Sequence, residues 1–181
     1  LEKISFRTNH NNNILQIFKY NLKKIEACDV LINCCAVKNP KNKYDKFINT
    51  KLPKLIHNYI KKYKINCKLV HISTLNIFYQ FLDDEYTAQK RMAEKYLNEK
   101  NILIIRPNLI WDSKGSGESL IFKKFLLLPL PFYFMIKPGN IYRPLDPISL
   151  AKFILMSTQN PKSPTELNVY GEKVISLFEL F

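Results

Sequence analysis

The chain has 181 residues with 46% hydrophobic content, enough to bury one sizeable core and to exclude disorder along its whole length. Its 28 Lys and Arg against 15 Asp and Glu give a formal charge of +13, which favours anionic partners. Most of that excess is Lys interspersed with Asn, Ile and Tyr, a compositional bias, and no RNA-binding or helix-turn-helix signature accompanies it.

Asn13 to Ala27 repeats Ile14, Ile17, Phe18, Leu22 and Ile25 at helical spacing and predicts the first helix. Asp29 to Val37 is a continuous apolar run rich in Val, Ile and Cys, as suits a strand buried on both faces of a parallel sheet. Lys41 to Lys64 predicts a helix with Phe47, Ile48, Leu52, Leu55, Ile56 and Ile60 on its apolar side, and Pro53 predicts a bend or a late start. Cys67 to Thr74 is the next buried strand, Glu85 to Asn98 a helix, and Ile102 to Asn108 a third strand. A loop of Gly and Ser follows at Ser113 to Ser119, then an apolar helix from Leu120, a short strand near Ile141 to Arg143 and a helix from Ile148 to Thr158. A strand at Glu166 to Tyr170 and a terminal helix from Ser176 close the chain. This alternation predicts an α/β fold, a Rossmann-like doubly wound parallel sheet. Residues 1–112 form its core and 113–181 a small C-terminal α/β lobe of the same domain.

Cys28, Cys34, Cys35 and Cys67 sit in or beside apolar runs, with no pair at the gap a zinc site uses, and read as reduced, buried thiols; no metal is expected. That fits the cytosol, the mitochondrial matrix or a plastid rather than secretion. The uncharged run Phe125 to Ile136 is too short to span a bilayer and is broken by Pro129 and Pro131.

All four glycines, Gly115, Gly117, Gly139 and Gly171, lie late in the chain. A dinucleotide-binding domain needs glycines after its first strand so that backbone can approach the pyrophosphate. The expectation is therefore an incomplete domain whose first βαβ unit lies upstream of Leu1 or has been lost.

Tyr86 and Lys90 fall one turn apart on a predicted helix, where the ammonium is expected to depress the phenol pKa and make it a usable acid or base for a carbonyl or alcohol. The spacing recurs at Tyr20 and Lys24, Tyr96 and Lys100, and Tyr133 and Lys137, so context singles out this pair. Ser73 precedes it at the end of a buried strand, where a hydroxyl points into the crevice in which such sheets bind ligands. His71 reads as a core or edge histidine satisfied by its neighbours.

The segments DVLINCCA, LVHIST, YTAQK and IIRPNLIW resemble, in order and context, the short-chain dehydrogenases of the extended and atypical type. The resemblance implies that Ser73, Tyr86 and Lys90 are the catalytic triad. It implies cofactor contacts from Asn33, Cys34, Cys35, Ala36, Lys90, Arg106 and Pro107, and places Asn49 at a helix Asn of the family. The compact gap between Ser73 and Tyr86, with Leu75, Asn76 and Glu94, is similar to the dehydrogenase-like accessory subunit of mitochondrial respiratory complex I. So is the stretch LLLPLPFYFMIKPGNIYRPLDPISLAKFIL. Three readings follow. The first is a complex I accessory subunit with a structural or assembly role, on the matrix side of the mitochondrial inner membrane. It would be bound to other subunits through Leu126 to Pro138, with possible anionic lipid contact. The second is an active NAD(P)-dependent reductase or sugar-nucleotide epimerase. The third, a basic nucleic-acid-binding protein, rests on charge alone, and no specific nucleic acid is expected. NAD or NADP is expected to bind only with the glycine-rich part supplied.

Overall fold

A computed structural model describes residues 25–79, 84–97, 99, 101–112, 141–160 and 162–176. Strands β1 (Val30–Asn33), β2 (Lys68–Ile72) and β3 (Ile102–Pro107) alternate with helices α1 (Lys43–Lys62) and α2 (Glu85–Tyr96). After them come β4 (Ile141–Tyr142), α3 (Pro147–Gln159), β5 (Glu166–Val169) and β6 (Ile175–Ser176). The main sheet runs β1-β2-β3-β5 and every pairing in it is parallel. The α/β, Rossmann-like reading of the sequence therefore holds.

Each helix starts where the sequence supplies a cap. Asn42 accepts from the Tyr44 and Asp45 N–H groups, Asp84 from Thr87, and Asp146 from Ser149, each satisfying a donor the first turn would leave bare. In α1, Asp45 lies in the first turn and Lys61 and Lys62 in the last, matching the helix dipole. The helix runs through Pro53 without a late start. Proline there gives up one bond, to the carbonyl of Asn49, and its buried ring packs into the interior instead.

Period-two alternation divides the strands between two cores. Leu69, Ile102 and Ile104 pack with Ile48, Leu52 and Ile56 of α1 and with Leu97 beyond α2. Val70, Leu103, Ile105 and Val169 pack with Leu150 and Ile154 of α3 on the other side. The parallel sheet is thus sandwiched, as its continuous apolar runs require.

Three expectations need correction. The run Asp29 to Val37 yields only the four-residue β1, and its Val30, Leu31 and Ile32 are half-buried rather than buried. Past Asn33, the Asn side chain accepts the Cys35 N–H and turns the chain out of the ladder. Ser176 lies in a strand, because Ile175–Ser176 pairs antiparallel with Ile141–Tyr142. The four cysteines are free, yet only Cys67 is buried; Cys34 is exposed because it stands beyond the end of β1. The helix expected over Asn13 to Ala27 lies outside the described residues except for its end at Ile25 and Glu26. The loop at Ser113, the helix from Leu120, the segment Leu126 to Pro138 and whatever follows Ser176 lie outside them entirely.

Candidate functional site at the carboxyl ends of the strands

Leu31, Leu69 and Ile104 face the α1 and α2 side, so Asn33, His71, Ser73 and Arg106, two or four residues further on, continue along the same face. That face is apolar toward the amino ends of the strands and polar toward their carboxyl ends. Asn49 of α1 and Gln89, Lys90 and Glu94 of α2 close over it, all of them buried. The site is a polar layer under the carboxyl edge of the sheet, where open α/β sheets bind ligands.

Lys90 is its centre. The Nζ donates to the Ile72 carbonyl at 2.7 Å, so the side chain is held against the residue before Ser73. Burial pulls the Lys90 pKa down to about 8, against the opposing pull of Cys34, Cys35 and Glu94. The same Nζ lies 5.8 Å from the centre of the Tyr86 ring. Ser73 donates its backbone N–H to Ile105, extending the β2-β3 ladder, and its buried Oγ has no hydrogen-bond partner among the described residues. The structure thus gathers Ser73, Tyr86 and Lys90 about the end of β2. The expected electrostatics differ in sign, however: burial first, and Asp84 second, raise the Tyr86 phenol above its usual value of 10.0. At neutral pH it is a proton donor.

Asn33 ends β1 and pairs in register with His71. Its amide nitrogen lies 3.1 Å from His71 Nδ1, and since that nitrogen can only donate, the imidazole proton sits on Nε2. That buried Nε2 has no partner among the described residues, so the histidine is only half satisfied. Burial, and then Lys90, push the His71 pKa well below 6.5. Below pH 6.5 the unfolded chain takes up a proton that the folded chain refuses, so stability is full above that pH and falls as pH falls through it. The expected slope is about 1.4 kcal/mol per pH unit. Urea unfolding at a series of pH values below 7 should show a steeper loss for the native chain than for His71→Gln; parallel curves would contradict this.

The other residues singled out in the sequence divide. Cys34 and Ala36 are exposed beyond β1, and Cys35 is half-buried, its thiol pushed up first by burial and then by Cys34. Cys34 and Cys35 are close enough to Lys90 to act on its charge. Arg106 is committed elsewhere: Nε and Nη2 donate to Glu94 at 2.7 to 3.1 Å, Nη2 also to Glu166 at 2.6 Å, and the guanidinium lies 5.0 Å from the Phe78 ring. That arrangement makes it a bolt between α2, β3 and β5. Pro107 is the buried last residue of β3.

Sequence reasoning missed how Asn49 and Gln89 work. Asn49 accepts from the Val37 N–H and donates to the Val37 carbonyl, both at 2.8 Å, and donates to Gln89 Oε1 at 2.7 Å. It clamps the chain leaving β1 to both helices. An Asn inside an amphipathic helix was the available signal. Among the described residues no group of three or more His, Cys, Asp and Glu is placed to hold a metal ion, and no helix is long and apolar enough to cross a membrane.

No protein-family model matches the chain, and no curated protein matches it in sequence. Solved structures do. A hypothetical dTDP-4-dehydrorhamnose reductase from Sulfolobus tokodaii superposes with a TM-score of 0.64 at 25% identity, over 90% of this chain and 61% of that one. The dTDP-glucose 4,6-dehydratase of Bacillus anthracis, in complex with NAD, gives 0.66 at 17% identity over 91% and 58%. RMD from Pseudomonas aeruginosa, complexed with NADPH, gives 0.63 at 14% identity over 83% and 62%. The chain thus spans about three fifths of the length of these proteins. It shares the fold of enzymes of the NAD(P)-dependent reductase and dehydratase kind.

Proposed function

We propose that this chain carries the proton-transfer half of a nicotinamide-dependent, short-chain-dehydrogenase-type site that reduces, epimerises or dehydrates a small carbonyl or alcohol substrate. The observation that carries the reading is the placement of Ser73, Tyr86 and Lys90 around the end of β2, in a sheet that superposes on NAD-bound and NADPH-bound enzymes. The buried, unpartnered Ser73 hydroxyl fits a ligand oxygen. A bound nicotinamide would supply or accept the hydride. Tyr86 would give its phenolic proton to the carbonyl oxygen and Ser73 would hydrogen-bond the same atom. Lys90, with one N–H spent on Ile72, keeps two for a ribose hydroxyl and for the field at Tyr86. Asn33 would border the nicotinamide side.

The pyrophosphate cradle has no counterpart among the glycines of this sequence, so tight binding requires an upstream glycine-rich segment. Fluorescence titration with NADPH and NADH is the test. The 181-residue chain should bind weakly, and a chain extended by a glycine-rich βαβ unit ahead of Leu1 should bind at micromolar levels or better. Failure of the extended chain would overturn the enzyme reading; micromolar binding by the shorter one would remove the need for the upstream segment.

The accessory-subunit reading comes second, because the structures named above are enzymes rather than respiratory subunits. What favours it is the exposed apolar series Ile148, Leu155 and Met156 on the outer side of α3, together with the net charge of +13, which suits an acidic neighbour or anionic lipid. On that reading the protein sits on the matrix side of the mitochondrial inner membrane within complex I. Migration as a free monomer from a mild-detergent mitochondrial extract would exclude it.

A further inference from the structure

At the opposite end of the sheet from Ser73, two sulfurs meet. Cys28 precedes β1 and Cys67 precedes β2, and their Sγ atoms are 3.1 Å apart. The backbone between them is already tied, since Lys68 donates to the Asp29 carbonyl at 2.9 Å. Closing to a disulfide needs the sulfurs to approach by about 1 Å, to roughly 2.05 Å, which side-chain torsions can supply. We propose that Cys28 and Cys67 are a reversible disulfide site joining the amino ends of β1 and β2, formed by exchange with a small anionic disulfide.

Access and charge both point to that class of reagent. Cys28 is half-buried, and Cys67 lines a groove of about 700 Å³ with Lys61, Lys64 and Lys68 among its walls. Those cations favour a carboxylate-bearing disulfide, of which glutathione disulfide is the obvious probe. The order of steps follows from burial. Burial first, and the Cys28 contact second, push the Cys67 thiol up to about 12, making it the poorer nucleophile. Cys28, half-buried where Cys67 is buried, is the one a reagent reaches, and its sulfur attacks the reagent, forming a mixed disulfide and releasing one glutathione thiolate. Cys67 then loses its proton to solvent base and attacks the Cys28 sulfur, expelling the second glutathione. The two cysteines are oxidised, the reagent is reduced to two thiols, and the balance closes. The slow second step should quicken as pH rises.

The inference does not depend on the proposed enzyme function. Its test uses the full chain with Cys34→Ser and Cys35→Ser, which removes the competing thiols. After treatment with glutathione disulfide at mildly alkaline pH, both free thiols should be lost and the mass should fall by two hydrogens with no glutathione retained. Peptide mapping should find Cys28 linked to Cys67, and dithiothreitol should restore the starting mass. The oxidised chain should also melt at a higher temperature than the reduced one, because the link shortens the unfolded ensemble. Adding Cys28→Ser should leave Cys67 unmodified. A glutathione adduct persisting on Cys28, or two unreacted thiols, would overturn the proposal.

Discussion

Tyr86→Phe should lower turnover of any carbonyl substrate by about 10²- to 10⁴-fold, the usual share of a positioned proton donor. The substitution removes one oxygen from a half-buried ring and leaves its packing intact, so the fold and the nicotinamide affinity should be unchanged. Because burial and Asp84 hold the phenol above its usual pKa, Tyr86 is protonated through the neutral range. Reduction, which consumes that proton, should therefore be favoured over oxidation near neutrality and fall only in alkali. Steady-state rates in both directions across pH, with circular dichroism as a check on the fold, would measure this. Full activity in the variant would remove Tyr86 from the mechanism and with it the reading of the site.

Arg106→Ala should destabilise the protein by about 3–5 kcal/mol, the range for removing one partner of a buried ion pair. Arg106 and Glu94 are 7% and 9% exposed at their side chains, so the loss leaves a carboxylate stranded inside the domain. Glu166 is 49% exposed and can turn to solvent, so Glu166→Gln should cost far less, within about 1 kcal/mol. Urea denaturation of the two variants would check the contrast, and equal losses would mean that the exposed pair with Glu166, not the buried one with Glu94, carries the stabilisation. Replacing Arg106 and Glu94 together by apolar residues should recover much of the loss, since no lone charge is then left buried.

The sheet was legible because its central strands, β2 and β3, are buried on both faces. Runs such as Leu69 to Ile72 and Ile102 to Ile105 admit few other readings, and their parallel pairing follows from the helices between them. Strand ends were less visible. Nothing in the apolar run through Cys34 and Cys35 announces that Asn33 will capture the Cys35 N–H and end the ladder. Nor could Ser176 be read as a strand residue, since its pairing depends on a partner at Ile141 far back in the chain. At the site, residue types were legible and energetics were not. A Lys one turn from a Tyr suggests a lowered phenol pKa, but that inference assumes the charge outweighs desolvation. Here the burial that brings Lys90 and Tyr86 together acts on both groups in the opposite sense. The ion pair of Arg106 with Glu166 was not legible either, because the two residues are remote in sequence.

The all-parallel main sheet also governs how the molecule reaches its native state. Val30 pairs with Lys68, Leu69 with Ile102, and Ile104 with Glu166, so no rung of that ladder joins residues near one another in sequence. Every pairing must close a loop containing a whole helix before it is rewarded, and folding in milliseconds to seconds is expected of such a topology. During that interval the runs around Ile32, Val70 and Ile105 are naked apolar strands with unpaired edges, the form in which chains stick to one another. The helices, capped by Asn42 and Asp84, can form early from local signals and shield one face of those strands. Yield on refolding should accordingly fall as protein concentration rises, and the helix caps should matter more to recovery than their modest contribution to equilibrium stability suggests.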